Sequence, residues 1–138
     1  MAIDEESKPR VSDRQRAIAD AARALIAERG FEGLRTRDIA ERVGINIATL
    51  HYHVPTKQAL IQLVAQSLRD DFVSQHARMP RAGLSPLQRL AAELSDYRDT
   101  LQNNIELFQV MAELSARARR DAEVEAELAP MRRYWHAQ

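Results

Sequence analysis

The sequence predicts an all-α protein, and three observations support this fold class. Apolar residues recur at intervals of three and four along most of the chain, which is the period of an amphipathic helix. Capping residues precede these runs, and no segment shows the strict alternation that is typical of a β-strand. The 138 residues are 45% hydrophobic and 29% charged, so the chain is long and apolar enough for one domain with a buried core.

The first predicted helix begins after Ser12 and ends near Arg29. Ser12 and Gln15 have the spacing of a capping box, in which each side chain bonds the backbone N–H of the other residue. Gly30 suits the left-handed residue that commonly ends a helix, and Phe31 is placed to cover the last turn.

Two short helices follow, separated by the three residues Gly-Ile-Asn. Thr36 is the predicted cap of the first, and Gly44 its end. Asn46 is the predicted cap of the second, which runs from Ile47 to about His53 before Pro55 stops it. Two short helices joined by a three-residue turn that contains Gly form a helix-turn-helix unit.

Four further helices are predicted in the rest of the chain. They are predicted to begin at Thr56, at Ser85, at Asn103 or Asn104, and at Asp121, and Ser85 and Asp121 are the predicted caps of theirs. The second of them has one apolar face, made by Leu87, Leu90, Ala91, Leu94, Tyr97 and Leu101. The third has only a thin polar line and is expected in the middle of a bundle. The fourth contains Pro130, which is expected to kink or restart it.

Composition excludes several classes of protein. The chain has no Cys, which rules out disulfides and thiolate metal sites. The first residues lack the apolar core of a signal peptide, and no stretch approaches the roughly 18 apolar residues of a membrane span, so a cytoplasmic protein without a membrane partner is expected. His51 and His53 point to different sides of a helix, and no catalytic cluster emerges. The sequence therefore predicts no enzyme, no metal and no cofactor.

The formal charge is zero but unevenly distributed. Residues 8–57 hold ten Lys or Arg against six Asp or Glu, a net charge of +4. Residues 58–138 hold ten against eleven, a net charge of −1. The basic excess therefore lies around the predicted helix-turn-helix, where it favours a polyanionic partner.

The third helix has an unusual outward side. At about 100° per residue Leu50 and Val54 face inward, whereas its other side is small and mixed rather than charged. Such a surface suits the major groove, where apolar groups contact thymine methyls and hydroxyl or imidazole groups contact base edges or phosphates. A core helix of an ordinary bundle is the competing interpretation. The predicted DNA-binding residues are Arg37, Asn46, Ile47, Ala48, Thr49, His51, Tyr52, His53 and Lys57.

Residues 12–60 resemble the DNA-binding domain of the tetracycline-repressor-like (TetR) family of bacterial transcriptional regulators. The resemblance rests on a helix that ends in Gly and an aromatic residue, on the following Thr-Arg-Asp-Ile-Ala-Glu-Arg-Val-Gly run, and on the spacing of the third helix. The residues that carry it are Gly30, Phe31, Thr36 to Val43, Gly44, Ile45, Asn46, Thr49, Leu50, Tyr52, His53, Lys57 and Leu60. Two positions depart from the family pattern: His51 stands where Tyr is usual, and Val54 where Phe is usual.

The resemblance implies a function and a division of the chain. It implies a repressor that binds a palindromic double-stranded operator as a homodimer and is released by a small-molecule effector of unknown identity. Residues 12–56 would then be the helix-turn-helix domain, and residues 57–138 an effector-binding and dimerisation domain. Family members usually continue through two further dimerisation helices, so this second domain is expected to be incomplete.

The resemblance also implies an apolar effector pocket among the later helices. Its predicted lining is Leu94, Tyr97, Phe108, Met111 and Trp135. Gln109 and Glu113 are polar residues on the same surface, and either a ligand contact or a solvated stripe explains them.

Two alternatives stay open at this stage. Residues 1–11 are interpreted as a flexible arm whose Ser-Lys-Pro-Arg segment enters the minor groove, or else as an ordinary terminus. The whole chain is alternatively a helical small-molecule-binding or protein-interaction module that does not bind DNA.

Overall fold

The computed structural model describes residues 12–79 and 81–137, and every regular element within them is a helix. Seven α-helices are present in this part of the chain, with a 3-10 turn, Phe31–Gly33, after the first. They are α1 (Asp13–Arg29), α2 (Thr36–Val43), α3 (Ile47–His53), α4 (Lys57–Ala77), α5 (Pro86–Asn103), α6 (Ile105–Ala118) and α7 (Ala122–His136). The all-α prediction is confirmed. The predicted arm, residues 1–11, lies outside the described residues.

The end of α1 differs in detail from the prediction. The capping box at its start is formed by Ser12 and Gln15, as expected. Gly30 has the predicted positive φ of 74°, but its ψ of 170° is extended rather than left-handed helical. This backbone geometry is essentially restricted to glycine. It leads the chain directly into the 3-10 turn, which the sequence pattern did not predict, and buries Phe31 at the turn's first position.

The turn between α2 and α3 is close to the prediction. Gly44 is left-handed, with φ of 80° and ψ of 32°, and its N–H donates to the carbonyl of Ala40. The side-chain oxygen of Asn46 accepts from the N–H of Thr49 at 2.8 Å and caps α3. The predicted cap of α2 was wrong by one residue. Arg35 is the extended residue before the helix, so Thr36 is already its first helical residue.

The apolar core is continuous from the N-terminal helices to the C-terminal ones. Helix α1 packs against α2, α4 and α6, and α7 packs against α4 and α6. The largest fully buried side chains of this core are Ile18, Leu25, Ile26, Ile39, Leu50, Leu68, Leu107, Leu114 and Leu128. Helix α6 contacts α1, α5 and α7, but Ile105 is 52% exposed and Ala112 is also exposed, so the expectation of a helix surrounded on nearly all sides was wrong. One continuous core includes residues on both sides of position 57, so the core does not mark a boundary there. The division into two domains stays a prediction.

A polar anchor joins α1 to α4 within this core. Arg23 of α1 is only 3% exposed. Its guanidinium donates to the Ser67 hydroxyl at 2.8 Å and to the Asp71 carboxylate at 2.6 Å, and Arg16 donates to the same carboxylate at 2.9 Å. Partial burial acts to raise the pKa of Asp71, but the hydrogen bonds and charges of the two arginines outweigh it and hold that pKa below its usual range.

Helix α5 departs most from the prediction. The sequence predicts one apolar face for it, and the leucines of that face are solvent exposed, Leu87 by 75% and Leu94 by 62%. No apolar side chain of residues 86–103, all of them described, is buried. The reason is that α5 packs mainly against α6, from which the single residue Asn104 separates it.

Helix α7 is continuous through Pro130, so of the two expected outcomes the restart was wrong and the kink stays a prediction. Leu128 and Met131 on either side of the proline are buried, and their packing holds the helix together across it. In the described part of the chain no helix is long and apolar enough to span a membrane.

Candidate nucleic-acid interface

The inward side of α3 is fixed by its core contacts. Leu50 is fully buried and Val54 is 4% exposed, as the helical period predicts. Because these two residues define one side, the opposite side must face solvent. Tyr52 on that side is 83% exposed, Ala48 is exposed and Thr49 is partly buried. None of the three lies in the protein interior. The interpretation of α3 as a DNA-reading helix requires this accessibility.

The remaining predicted residues of α3 lie around the edge of this outward side. Ile47 is 37% exposed and His51 is exposed. The ring of His53 packs edge-on against Tyr52, with 5.2 Å between the ring centroids. Asn46 is exposed, but its side-chain oxygen is already occupied as the cap of α3. Its role is therefore to fix the start of the helix, with only its amide N–H₂ left for a partner.

A cleft of about 720 Å³ lies beside α3 and brings several cationic side chains together. The first residues of α2 and of α4 both line it, and N–H groups of a helix's first turn lack partners within the helix. Its polar lining consists of Arg35, Thr36, Arg37, Asp38, His51, Thr56 and Lys57. Converging helix N-termini and basic side chains form a suitable seat for a phosphate group.

Ion pairs distinguish the cations that serve the fold from those that remain available. Arg42 forms a two-pronged pair with Glu28 at 3.0 and 3.1 Å, and Arg29 pairs with Asp38 at 3.0 Å. The first of these pairs lowers the pKa of Glu28, chiefly through the hydrogen bond from Arg42. In residues 12–79 and 81–137, Arg35 and Arg37 have no such acidic partner. Both are exposed on the cleft, so their charge faces solvent.

Arg35 was not among the predicted DNA-binding residues, of which only Arg37 lies at the start of α2. The Arg-Thr-Arg run at the start of α2 is the sequence signal that could have identified Arg35. The residue before the helix and the residues of its first turn line the same cleft. Lys57 was predicted to contact phosphate. Its ammonium lies 5.0 Å from the centroid of the Phe31 ring, at the edge of the cleft.

A second concave site, which we name the central cavity, lies among α4, α5, α6 and α7. It has a volume of about 430 Å³. Four of the five predicted pocket residues line it, namely Tyr97, Phe108, Met111 and Trp135. Leu94 does not: it sits on the exposed face of α5, because that helix turns its other side towards α4 and α6.

Polar residues of the central cavity were not predicted. Gln75, Glu93, Asp96, Thr100, Ser115 and Arg132 contribute to its lining. They lie on the sides of α4, α5, α6 and α7 that face the cavity. In α5 this side differs from the one that the leucines mark, so the apolar pattern did not indicate it. Gln109, one of the two polar candidates, is exposed and outside the lining.

Glu113, the other polar candidate, connects α6 to the helix-turn-helix region instead. Its carboxylate accepts a hydrogen bond from the N–H of Phe31 at 3.1 Å and so caps the 3-10 turn. Arg117, one turn further along α6, forms an ion pair with Glu32 of the same turn and lies 5.3 Å from the centroid of the Phe31 ring. Since Phe108, Met111 and Ser115 of α6 line the central cavity, one helix contacts both regions.

Comparison with known proteins agrees with this geometry. Residues 18–64, which include α2, α3 and the first part of α4, match the model for bacterial regulatory proteins of the tetR family. The HTH-type transcriptional repressor KstR from Rhodococcus jostii is 29% identical over 110 residues, which cover 78% of this chain and 50% of the repressor. The class D tetracycline repressor protein from Escherichia coli is 43% identical over 49 residues, 36% of this chain and 22% of that protein.

A similar fold is present in a solved structure, that of a transcriptional regulator from Rhodococcus sp. assigned to the TetR family. It aligns with a TM-score of 0.77 and 27% sequence identity, over 90% of this chain and 66% of that one. The chain spans 40% of the length of the KstR2 repressor and 50% of that of KstR from Rhodococcus jostii. Residues 18–64 therefore form the N-terminal domain that defines the tetR family of bacterial regulatory proteins, within a chain whose fold is similar to that of a TetR-family regulator.

Proposed function

We propose that the protein is a DNA-binding transcriptional regulator that acts as a repressor. The observation that carries this proposal is the outward side of α3, where Tyr52 and Ala48 are exposed on the same helix as His51, which lines the cleft together with Arg35 and Arg37. The repressors KstR and class D tetracycline repressor, which are similar in this region, support it. A repressor acts on chromosomal DNA, so the proposal includes a cytoplasmic location.

Each part of the interface has its own proposed role. Ile47 and Ala48 contact thymine methyls in the major groove, while Thr49 and His51 contact base edges and set sequence preference. Tyr52, His53, Arg37 and Lys57 contact backbone phosphates, which fixes the position of α3 but carries little sequence information. The N–H groups at the starts of α2 and α4 add to this phosphate seat.

The central cavity is the proposed effector site. An effector lowers DNA affinity only if it binds more tightly to the conformation that fits DNA less well. Helix α6 offers a physical connection, because it lines the cavity and also holds the 3-10 turn through Glu113 and Arg117. In this proposal residues 12–56 read DNA and residues 57–138 bind the effector.

A homodimer is the proposed assembly on DNA. A single helix-turn-helix gives modest affinity, and a symmetric pair reads two half-sites about 34–36 Å apart. The proposed target is therefore a palindromic operator. Sedimentation equilibrium with and without such a DNA duplex measures whether two chains bind it.

Fluorescence anisotropy with DNA from upstream of the protein's own gene tests the function. We expect tight binding to a palindrome, with an affinity that falls steeply as salt rises. Tyr52→Ala combined with Lys57→Ala should abolish this binding without unfolding the protein, since both side chains are exposed. Arg89→Ala is the matched control for charge: it removes one exposed cation from α5 and should leave binding unchanged.

The same titration decides the alternative function. Absence of salt-dependent binding to any duplex, or full affinity in the Tyr52→Ala, Lys57→Ala variant, would refute the proposed DNA-reading role of α3. A helical module that binds a protein or a small molecule would then be the better account. The exposed leucines of α5 are the observation that favours such a module.

A further inference from the structure

The central cavity has an aromatic wall that is continuous from α7 to α5. The ring centroids of Trp135 and Phe72 are 5.9 Å apart, those of Phe72 and Phe108 6.3 Å, and those of Phe108 and Tyr97 4.7 Å. All four rings line the cavity. Aromatic faces carry partial negative charge and attract organic cations that lie within about 6 Å of a ring centroid.

The charged residues of the cavity are not balanced. Its lining includes Glu93, Asp96 and Arg132. Glu93 forms an ion pair with Arg81, and Arg132 forms one with Glu125. Each of these two pairs is neutral as a whole, so the net charge at the cavity depends on Asp96.

Asp96 has only neutral hydrogen-bond partners in residues 12–79 and 81–137. Its carboxylate accepts from the side-chain amide of Gln75 at 2.9 Å, and that amide also donates to the hydroxyl of Thr100. No ion pair to Asp96 is present in this part of the chain. Thr100 is 3% exposed and Gln75 is partly buried, so the amide holds the carboxylate in a fixed position beside the aromatic wall.

We infer that the central cavity selects a lipophilic organic cation, with Asp96 as its counterion and the four aromatic rings as its apolar and cation–π contacts. The inference deepens the proposed function and rests on it, because it names the chemical class of the proposed effector. A volume of about 430 Å³ accommodates a molecule with several rings. A carboxylate that is partly desolvated without a cationic partner favours a ligand that supplies the missing charge.

A pair of probe ions with the same shape and opposite charge tests this inference. Tetraphenylphosphonium is a cation, and tetraphenylborate is the anion of nearly equal size. Equilibrium dialysis of the full chain against each ion, without DNA, measures their dissociation constants. We expect the phosphonium to bind at least about tenfold more tightly than the borate, because the Asp96 carboxylate attracts the cation and repels the anion.

Asp96→Asn isolates the proposed counterion. Asparagine keeps the shape and can still accept from Gln75, so the phosphonium affinity should fall about tenfold while the borate affinity stays equal or rises. Asp99→Asn is the matched control, since it removes the same charge from the same helix at a residue outside the cavity lining. It should leave both affinities unchanged.

The outcomes separate this inference from the proposed function. Equal binding of the two ions to the unmodified protein would overturn the inference, and this measurement does not depend on whether the variant folds. An equal loss of phosphonium affinity in both variants would also overturn it, because the effect would then be one of overall charge. DNA titration without either ion tests the regulator separately, so selective phosphonium binding with no DNA binding would refute only the proposed function.

Discussion

The helices α3 and α5 both present uncharged side chains to solvent, but for different reasons. Helix α3 buries Leu50 and Val54 and exposes a small, mixed surface on the other side. Helix α5 instead exposes its own apolar face, with Leu87 75% and Leu90 54% accessible. The period of apolar residues therefore identifies the apolar side of a helix, whereas contacts with other helices decide whether that side is buried.

The surroundings of the two helices account for this difference. The three-residue turn before α3 holds this helix against α2. Helix α2 packs on α1, and α1 packs in turn on α4 and α6. Helix α5 follows the loop after α4 and packs mainly against α6. Its polar contacts to α4 are made by the amide of Gln75, which reaches Asp96 and Thr100. Burial of α3 is thus dictated locally, and burial of α5 is not.

The largest expected effect compares one leucine from each helix. Leu50→Ala removes a fully buried side chain and should lower the free energy of unfolding by about 2–5 kcal/mol, because it leaves a cavity. Leu94→Ala makes the same chemical change at a residue that is 62% exposed and should cost no more than about 0.5 kcal/mol. Urea unfolding followed by circular dichroism measures both.

Similar losses for the two variants would contradict the comparison. In particular, a loss of several kcal/mol for Leu94→Ala would mean that another chain covers α5 in solution. Repeating the measurement at several protein concentrations would identify such an assembly, since its stability would depend on concentration.

A smaller effect is expected at the polar anchor that supports the framework around α3. Asp71→Asn weakens the hydrogen bonds from Arg16 and Arg23 and leaves the buried guanidinium of Arg23 with Glu106, at 3.4 Å, as its remaining anionic partner. We expect a loss of about 2 kcal/mol at neutral pH, moderated by solvent because the side chain of Asp71 is 27% exposed. The measurement is urea unfolding of both proteins.

The pH dependence of this loss has a definite sign. The pKa of Asp71 is lower in the folded protein than its ordinary value of 3.8, so its favourable contribution is complete above 3.8. This contribution is lost as the pH falls through the lower pKa of Asp71 in the folded protein. Asp71 of the unmodified protein is then protonated and, like the asparagine of the variant, carries no charge. The difference between the two proteins should therefore shrink in acid, whereas the exposed neighbour Asp70, changed to Asn, should show little difference at any pH. A difference that persists undiminished in acid would rule out this role for the carboxylate.

Much of the fold could be predicted because the decisive signals are local. Side-chain caps at Ser12, Asn46, Thr56, Ser85 and Asp121 all act within three residues, and each starts a helix as predicted. The 3-10 turn escaped prediction because Glu113, which is 82 residues away from Phe31, supplies its cap. The continuity of α7 through Pro130 likewise depends on tertiary packing around Leu128 and Met131.

The candidate sites follow the same rule. The outward side of α3 could be predicted because its inward residues lie on the same short helix. The cationic cleft requires α2 and α4 to meet, so only part of its lining was found in advance. The carboxylate of Asp96 was missed because its significance depends on which cations are already paired, and one of those pairs joins Arg81 of the loop before α5 to Glu93 of α5.

The smallest effect compares the caps of the two helices. Asn46 caps α3 and Ser85 caps α5, in each case by accepting from the N–H three residues later, at 2.8 and 3.2 Å. Asn46→Ala and Ser85→Ala should each lower the free energy of unfolding by about 1 kcal/mol, because one N–H of the first turn loses its partner. Only Asn46→Ala should also weaken operator binding, since it loosens the start of the helix that reads DNA.

Asn46→Ser separates capping from any direct contact between the Asn46 amide and DNA. Serine restores a neutral cap, so stability and operator affinity should recover together if fixing α3 is the main role of Asn46. Recovery of stability without recovery of affinity would instead assign the amide N–H₂ a contact of its own with DNA. Because Ser85→Ala changes stability by the same amount at a distance from α3, it shows how much affinity is lost through stability alone, and the remaining loss in Asn46→Ala belongs to the reading surface.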